Sequence, residues 1–467
     1  MPAARVIGWR FQEKRGGDLM VAPADSKLHS DSAVLYRSPQ YGYLLAASAA
    51  GMHIIDSSGK TYLDMSGGAA VSCLGHSHPD IVAAIQEQLA TLAFAHTAFF
   101  TNEPQEELAT VLVNRFGDPD ARVYFGTGGS EANETAFKIA WQYCVAANRP
   151  DKKIIISREH SYHGNTLGVL SASGNAARRR TSAAPLIDWP RIPPCYEYRE
   201  RLDGETLGAF AERSAGYLEE AIRQHGSDQI AAFIAEPVVG SSLGAVPAAE
   251  DYFHRIRQIC DRNDILLIAD EVMCGSGRTG TFFAHEQDGF RPDIVSLAKG
   301  IAGGYQPLAA TVISGRVTAV LENAGFTHGH TYVGHATACS AGVVVQKVID
   351  RDNLLERTRQ LGGTLSELLR DEFGDHPFVG DIRVRGLLAA VELVSNRGTR
   401  AGFEDRGSLP EDLRLAAMAE GVLCYPGSIM VDGRTVPHIL LAPPMIASEQ
   451  DLEEGISRLS KAIATVL

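Results

Sequence analysis

Three short segments carry residues that could do chemistry together. In ILLIADEVMCGSGRTG, Asp270 and Glu271 close a run of apolar residues. A carboxylate at the end of a buried strand costs desolvation free energy unless a cation or hydrogen-bond donors meet it. Asp270 therefore reads either as a strand-end acid satisfied by backbone groups or as an acid paired with a protonated ligand nitrogen. In DIVSLAKGIAGGYQPLAA, Lys299 ends another apolar run ahead of a glycine-rich loop. Taken alone it could be a snorkelling surface lysine. A desolvated lysine instead loses its proton easily and becomes a nucleophilic amine able to form imines. In VYFGTGGSEANETAFKIAWQY a strand ends at Phe125, a glycine turn follows, and a helix opens at Ser130 with Glu131 in its first turn. The unpaired N–H groups and dipole of a helix start favour an anion, and Gly128-Gly129 let it approach closely. No Lys-Ser/Thr follows these glycines and the GxGxxG spacing is missing, so neither a nucleotide P-loop nor a dinucleotide site is indicated. By itself this segment is as readily a capped helix after a glycine turn.

Together the three segments offer a phosphate cradle, an acid and an amine. Those are the contacts that pyridoxal 5′-phosphate requires of a protein that must fix its orientation and protonation.

The elements that must position them follow from apolar runs at Val123–Phe125, Ile154–Ile156, Ala231–Ala235, Ile265–Ala269, Ile294–Leu297 and Leu308–Ile313. Most are separated by helix-length segments. Continuous apolarity suits strands covered on both faces, hence an α/β fold with a mainly parallel sheet. Such sheets bind ligands outside the carboxyl ends of their strands, where Asp270 and Lys299 fall. Residues 1–32 read as a polar, aperiodic arm. In GMHIIDSSGKTYLDMSGG, Ser58-Gly59 supplies a turn between two short strands, and from Pro79 the apolar spacing is helical. We expect a cofactor-holding domain over 80–335, with a smaller α+β domain built from 33–79 and 336–467. In the latter, a long helical pattern after His335 is followed by strands in RGLLAAVELV and PHILLAPPM and a closing helix.

Composition excludes several functions. The net charge is −13, and an acidic surface repels nucleic-acid phosphates and anionic membranes. The N-terminal arm has no evident helix-turn-helix, which argues against a DNA-binding regulator. Arg178-Arg179-Arg180 is the one basic cluster, read as a solvated turn or helix end in preference to an anion site. The seven scattered cysteines form no CxxC pair, so neither a disulfide framework nor a zinc site is expected. No apolar run nears the ~18 residues of a membrane span, and no signal peptide is evident. The expected setting is the cytoplasm.

From about Val34 onward the chain resembles the class III (ω-type) aminotransferases, pyridoxal-phosphate-dependent transferases of fold type I. The resemblance rests on LLIADEVMCGSGRTG…DIVSLAKG, with GGSEANE, EHSYHGNT, FIAEPVVG and HGHTYVGHATACSAG. It implies a seven-stranded-type sheet and a ping-pong transfer of an amino group from an amine or amino-acid donor to a keto acid such as pyruvate or 2-oxoglutarate. By the same resemblance Lys299 matches the lysine that holds the cofactor as a Schiff base, and Asp270 the acid on the pyridine nitrogen. Val272 matches the aliphatic residue under the ring, Tyr162 the aromatic on its other face, and Gly129 and Ser130 the phosphate-binding pair. Glu236 matches a glutamate near the phenolate side, while His163 reads as structural. Thr331 matches a threonine that reaches the phosphate of the neighbouring subunit, which implies a homodimer, or a tetramer built from one. An amino-acid racemase or epimerase on the same scaffold would use the same lysine and acid.

Two departures stand out. Where many ω-amine transaminases carry a large aromatic, this chain has Ala69-Ala70, leaving room for a bulkier donor. Where they often carry a mobile arginine before the APP motif, this chain has Gly433, with Arg434 beside it. Arg434 is thus a candidate cation for the keto acid, and Pro193–Arg199 a candidate pocket wall that brings Arg199. For both arginines an ordinary surface role is the first expectation.

Overall fold

The computed structural model describes residues 9–13, 19–23, 32–38 and 42–467. The apolar runs between residues 122 and 313 assemble into one sheet. Its strands are β1 (Arg122–Gly126), β2 (Ile154–Arg158), β3 (Arg191–Ile192), β4 (Ile230–Ala235), β5 (Leu266–Asp270), β6 (Ile294–Leu297) and β7 (Ala309–Ile313). They lie in the order β1-β7-β6-β5-β4-β2-β3. The pairs β2–β3, β2–β4, β4–β5 and β5–β6 are parallel, and β7 is antiparallel to both of its neighbours. The mainly parallel seven-stranded α/β sheet is as expected. Every residue of β4, β5, β6 and β7 is buried. That burial on both faces is why these stretches show no alternation. The strand missed from sequence is β3, an edge of only two residues that carries no apolar run.

Helix α1 (Gly129–Ala146) covers one face of this sheet. Ala136, Phe137, Ile139 and Ala140 on its buried side share a cluster with Ile155, Ile234, Leu266 and Ile268. The packing sets the start of α1 directly after β1.

A second, antiparallel sheet is built from β8 (Val379–Arg385), β9 (Leu388–Leu393), β10 (Tyr425–Val431) and β11 (Arg434–Leu441), in the order β8-β9-β11-β10. A third joins the two ends of the chain, with Ala46–Ala50, His53–Asp56 and Thr61–Asp64 pairing in sequence and Val422–Leu423 added beside Thr61–Asp64.

Two details differ from the sequence reading. The helical pattern after His335 is two helices, Ala336–Arg351 and Leu354–Phe373. They break at Asn353, whose left-handed φ of 49° is a conformation asparagine tolerates better than most residues. Within the supposedly aperiodic arm, Trp9–Glu13 and Leu19–Pro23 pair as antiparallel strands. Among the described residues no helix is long and apolar enough to cross a membrane, no cluster of metal-ligating side chains occurs, and the seven cysteines are free and buried.

Candidate active site

The carboxyl ends of β1, β5 and β6 open onto a cavity of about 410 Å³ whose wall includes Gly129, Ser130, Asp270, Val272 and Lys299. Asp270 is 3% exposed. Its Oδ2 accepts from Asn133 Nδ2 at 2.8 Å and meets His163 Nδ1 at 2.8 Å, while its Oδ1 accepts from Val272 N at 3.1 Å. Asn133 also donates to the His163 carbonyl at 2.8 Å, so acid, histidine and amide form one buried unit. Donors to an ionised carboxylate are what make such burial tolerable. The sequence reading missed Asn133 and treated His163 as structural only. Position held the available signal for Asn133, one helical turn after Gly129 and so on the same side of α1.

Lys299 opens a short 3₁₀ turn, Lys299–Ala302, with a left-handed φ of 48°. A side chain in that region costs roughly 1–2 kcal/mol, a strain typical of functional positions. Burial pushes its ammonium down to about 8, against the opposing pull of the Asp270 and Glu236 carboxylates. The neutral amine is the nucleophile. Hence the rate at which apoenzyme Lys299 attacks an added aldehyde should rise about tenfold per pH unit up to this value and then level off. Stopped-flow absorbance across pH 6–10 reads this directly. A rate still climbing at the top of the range would mean an ordinary lysine.

The start of α1 is open. Gly128 gives the first turn no side-chain cap. A Cβ on Gly129 would lie 2.7 Å from Val272 Cγ1, so only glycine lets Val272 approach this turn. Ser130 Oγ accepts from Asn165 N at 3.1 Å. Tyr162 lines the cavity, and its backbone N–H donates to Glu236 Oε1 at 3.0 Å. Glu236 Oε2 accepts from Gly240 N at 2.9 Å. Burial raises this carboxyl, with the His163 ring opposing. An uncapped helix start, a cradle that a Cβ would fill, a buried acid and a cavity-facing amine fit pyridoxal phosphate. Thr331 does not join them, being exposed and away from the cavity of its own chain.

The departures resolve unevenly. Gly67, Gly68, Ala69 and Ala70 form a left-handed turn, with φ of 52°, 60°, 67° and 64°. Ala70 packs with Met273, Cys274 and Leu440, flanked by Ala69 and Tyr425. Arg434 stays at the surface, paired with Glu404. It begins the eight-residue β11, whose ~3.4 Å rise per residue holds it more than about 20 Å from the APP motif. Proximity in sequence was misleading here because the hairpin is long. Arg199 is not a surface residue. Its side chain is 8% exposed and pairs with the buried Glu392 at 2.5 Å, and Tyr196 and Arg383 reach the same carboxylate. Residues 193–199 thus tie the large sheet's edge to β9 and contribute nothing to the cavity wall.

A family model described as aminotransferase class-III matches residues 36–463. An uncharacterized aminotransferase of Schizosaccharomyces pombe is 36% identical over 96% of this chain and 99% of its own length. The diaminobutyrate–2-oxoglutarate transaminase of Halomonas elongata is 33% identical, over 89% of each. Among solved structures, the omega transaminase of Pseudomonas jessenii in complex with PMP superposes with a TM-score of 0.88 at 33% identity, covering 95% of this chain and 98% of that one.

Proposed function

The chain belongs to the class III aminotransferases, and from that membership we propose that Lys299 is where pyridoxal phosphate is covalently attached and that its freed amine moves the substrate proton. As a member it is a pyridoxal-phosphate-dependent enzyme that passes an amino group from an amine or amino-acid donor to a keto acid. The racemase alternative has no support among the relatives, which are transaminases.

When bound, the cofactor supplies an electron sink for the bond broken at the donor carbon. The chain supplies the rest. Asp270, held by His163 and Asn133, keeps a proton on the ring nitrogen. The first-turn N–H groups at Gly129 and Ser130 take the phosphate. Val272 and Tyr162 enclose the ring, and Glu236 fixes the Tyr162 backbone. The observation that carries this reading is the meeting of the acid, the amine and the open helix start in one cavity. Borohydride reduction of holoenzyme followed by peptide mapping tests it, and a label on any other lysine rejects it.

We take 80–335 as the cofactor-holding domain, and 33–79 with 336–467 as the smaller one. The sheet that joins Thr61–Asp64 to Val422–Leu423 supports the second grouping. Seven free, buried cysteines suit a reducing compartment such as the cytoplasm.

Thr331 is exposed and matches a threonine that reaches the phosphate of a neighbouring subunit, which supports a second subunit. We therefore expect a symmetric homodimer in which the same exchange completes both sites. Sedimentation should give twice the 50.2 kDa chain mass, or a multiple of that dimer. A fully active monomer would remove Thr331 from the site.

A further inference from the structure

A keto acid carries at least one carboxylate, and this molecule has a net charge of −13. Yet among the described residues no guanidinium lines the cavity, and the one ammonium there is Lys299. Arg199 is consumed by Glu392 and Arg434 stands at the far end of a hairpin. Arg178 differs from both. Its guanidinium carbon lies 4.7 Å from the centroid of the Tyr162 ring, and Tyr162 is part of the cavity wall. It is exposed, and it has no ion pair among the described residues.

Its backbone is held in place. Asn175 Oδ1 accepts from Arg178 N at 3.1 Å, and Arg179 Nη1 reaches the Ser173 carbonyl at 3.4 Å. A guanidinium stacked on an aromatic face loses rotamer freedom while its in-plane N–H groups remain available for a two-point bond to a carboxylate. We propose that Arg178 is a specificity residue that holds the carboxylate remote from the reacting carbon in a dicarboxylic keto acid. The remote group is implicated because Arg178 is not among the residues that line the cavity with Lys299 and meets that wall only through the Tyr162 ring. This rests on the aminotransferase reading above.

The test compares 2-oxoglutarate with pyruvate as acceptors for the holoenzyme. Arg178→Ala should lower the ratio of their kcat/KM values at least tenfold, mainly through the KM for 2-oxoglutarate. Arg178→Lys should recover part of the loss, and Arg180→Ala should leave the ratio alone. Binding of unreactive glutarate to holoenzyme, followed by calorimetry, should weaken about tenfold in Arg178→Ala. The proposal is overturned if both acceptors fall together, which would make Arg178 only a support for the Tyr162 ring. An unchanged ratio, an equal effect of Arg180→Ala, or wild-type turnover of pyruvate but not of 2-oxoglutarate would also overturn it. Wild type that transaminates neither acceptor would instead count against the underlying reading.

Discussion

Lys299→Ala should give a folded protein that no longer turns over any donor. The amine is both the attachment point and the proton carrier in our reading, and general acid–base transfer alone is worth roughly 10²–10⁴-fold. No described neighbour can replace it, since among the described residues the cavity wall holds no other amine. Cofactor binding should weaken without vanishing, because the open start of α1 and Asp270 do not depend on the lysine. The fold should not suffer. In the folded chain Lys299 loses its proton near pH 8, against an ordinary 10.5. Between those values the unfolded chain binds more protons, so stability rises with pH there, and the full penalty of the buried ammonium applies below about 8. Removing the side chain removes that penalty. Apo Lys299→Ala should therefore melt at or above apo wild type at pH 7. Single-turnover kinetics and thermal melts together check both halves, and residual turnover near the wild-type rate would end the assignment.

Asp270→Asn should keep the shape of the site and lose its charge. The amide can still fill the space between Asn133 and His163, but it cannot hold a proton on a ring nitrogen. Removing one preorganised electrostatic group typically costs about 3–4 kcal/mol of transition-state stabilisation, or 10²–10³ in rate. We expect that loss in the donor half-reaction, with the melting temperature little changed. Near-normal turnover would reduce Asp270 to a strand-end acid satisfied by the backbone.

Both predictions rest on residues whose placement is legible in the sequence. A strand buried on both faces shows as unbroken apolarity, as in β4, β5 and β6, and its carboxyl end is where an α/β sheet binds ligands. Asp270, Lys299 and the glycine turn at 128–129 stand out for that reason: their chemistry sits at ends that local pattern locates. The two-residue strand β3 does not, having no run long enough to show a pattern.

What only the tertiary structure decided are pairings between distant segments. His163 and Asn133 meet Asp270 from 107 and 137 positions away; the helical spacing from Gly129 gives the side of α1 on which Asn133 lies but not the acid it meets. Arg199 looked exposed because an isolated Pro-rich segment reads as surface. Its burial follows from Glu392, 193 positions on. Arg434 lay near a motif in sequence and was carried away from it by a long hairpin, whereas Arg178, read as a solvated turn, was brought against Tyr162. Local sequence determines what a segment can be, because backbone geometry and burial act over a few residues. Which charges meet depends on how the packed elements close on one another, and that is a property of the whole chain.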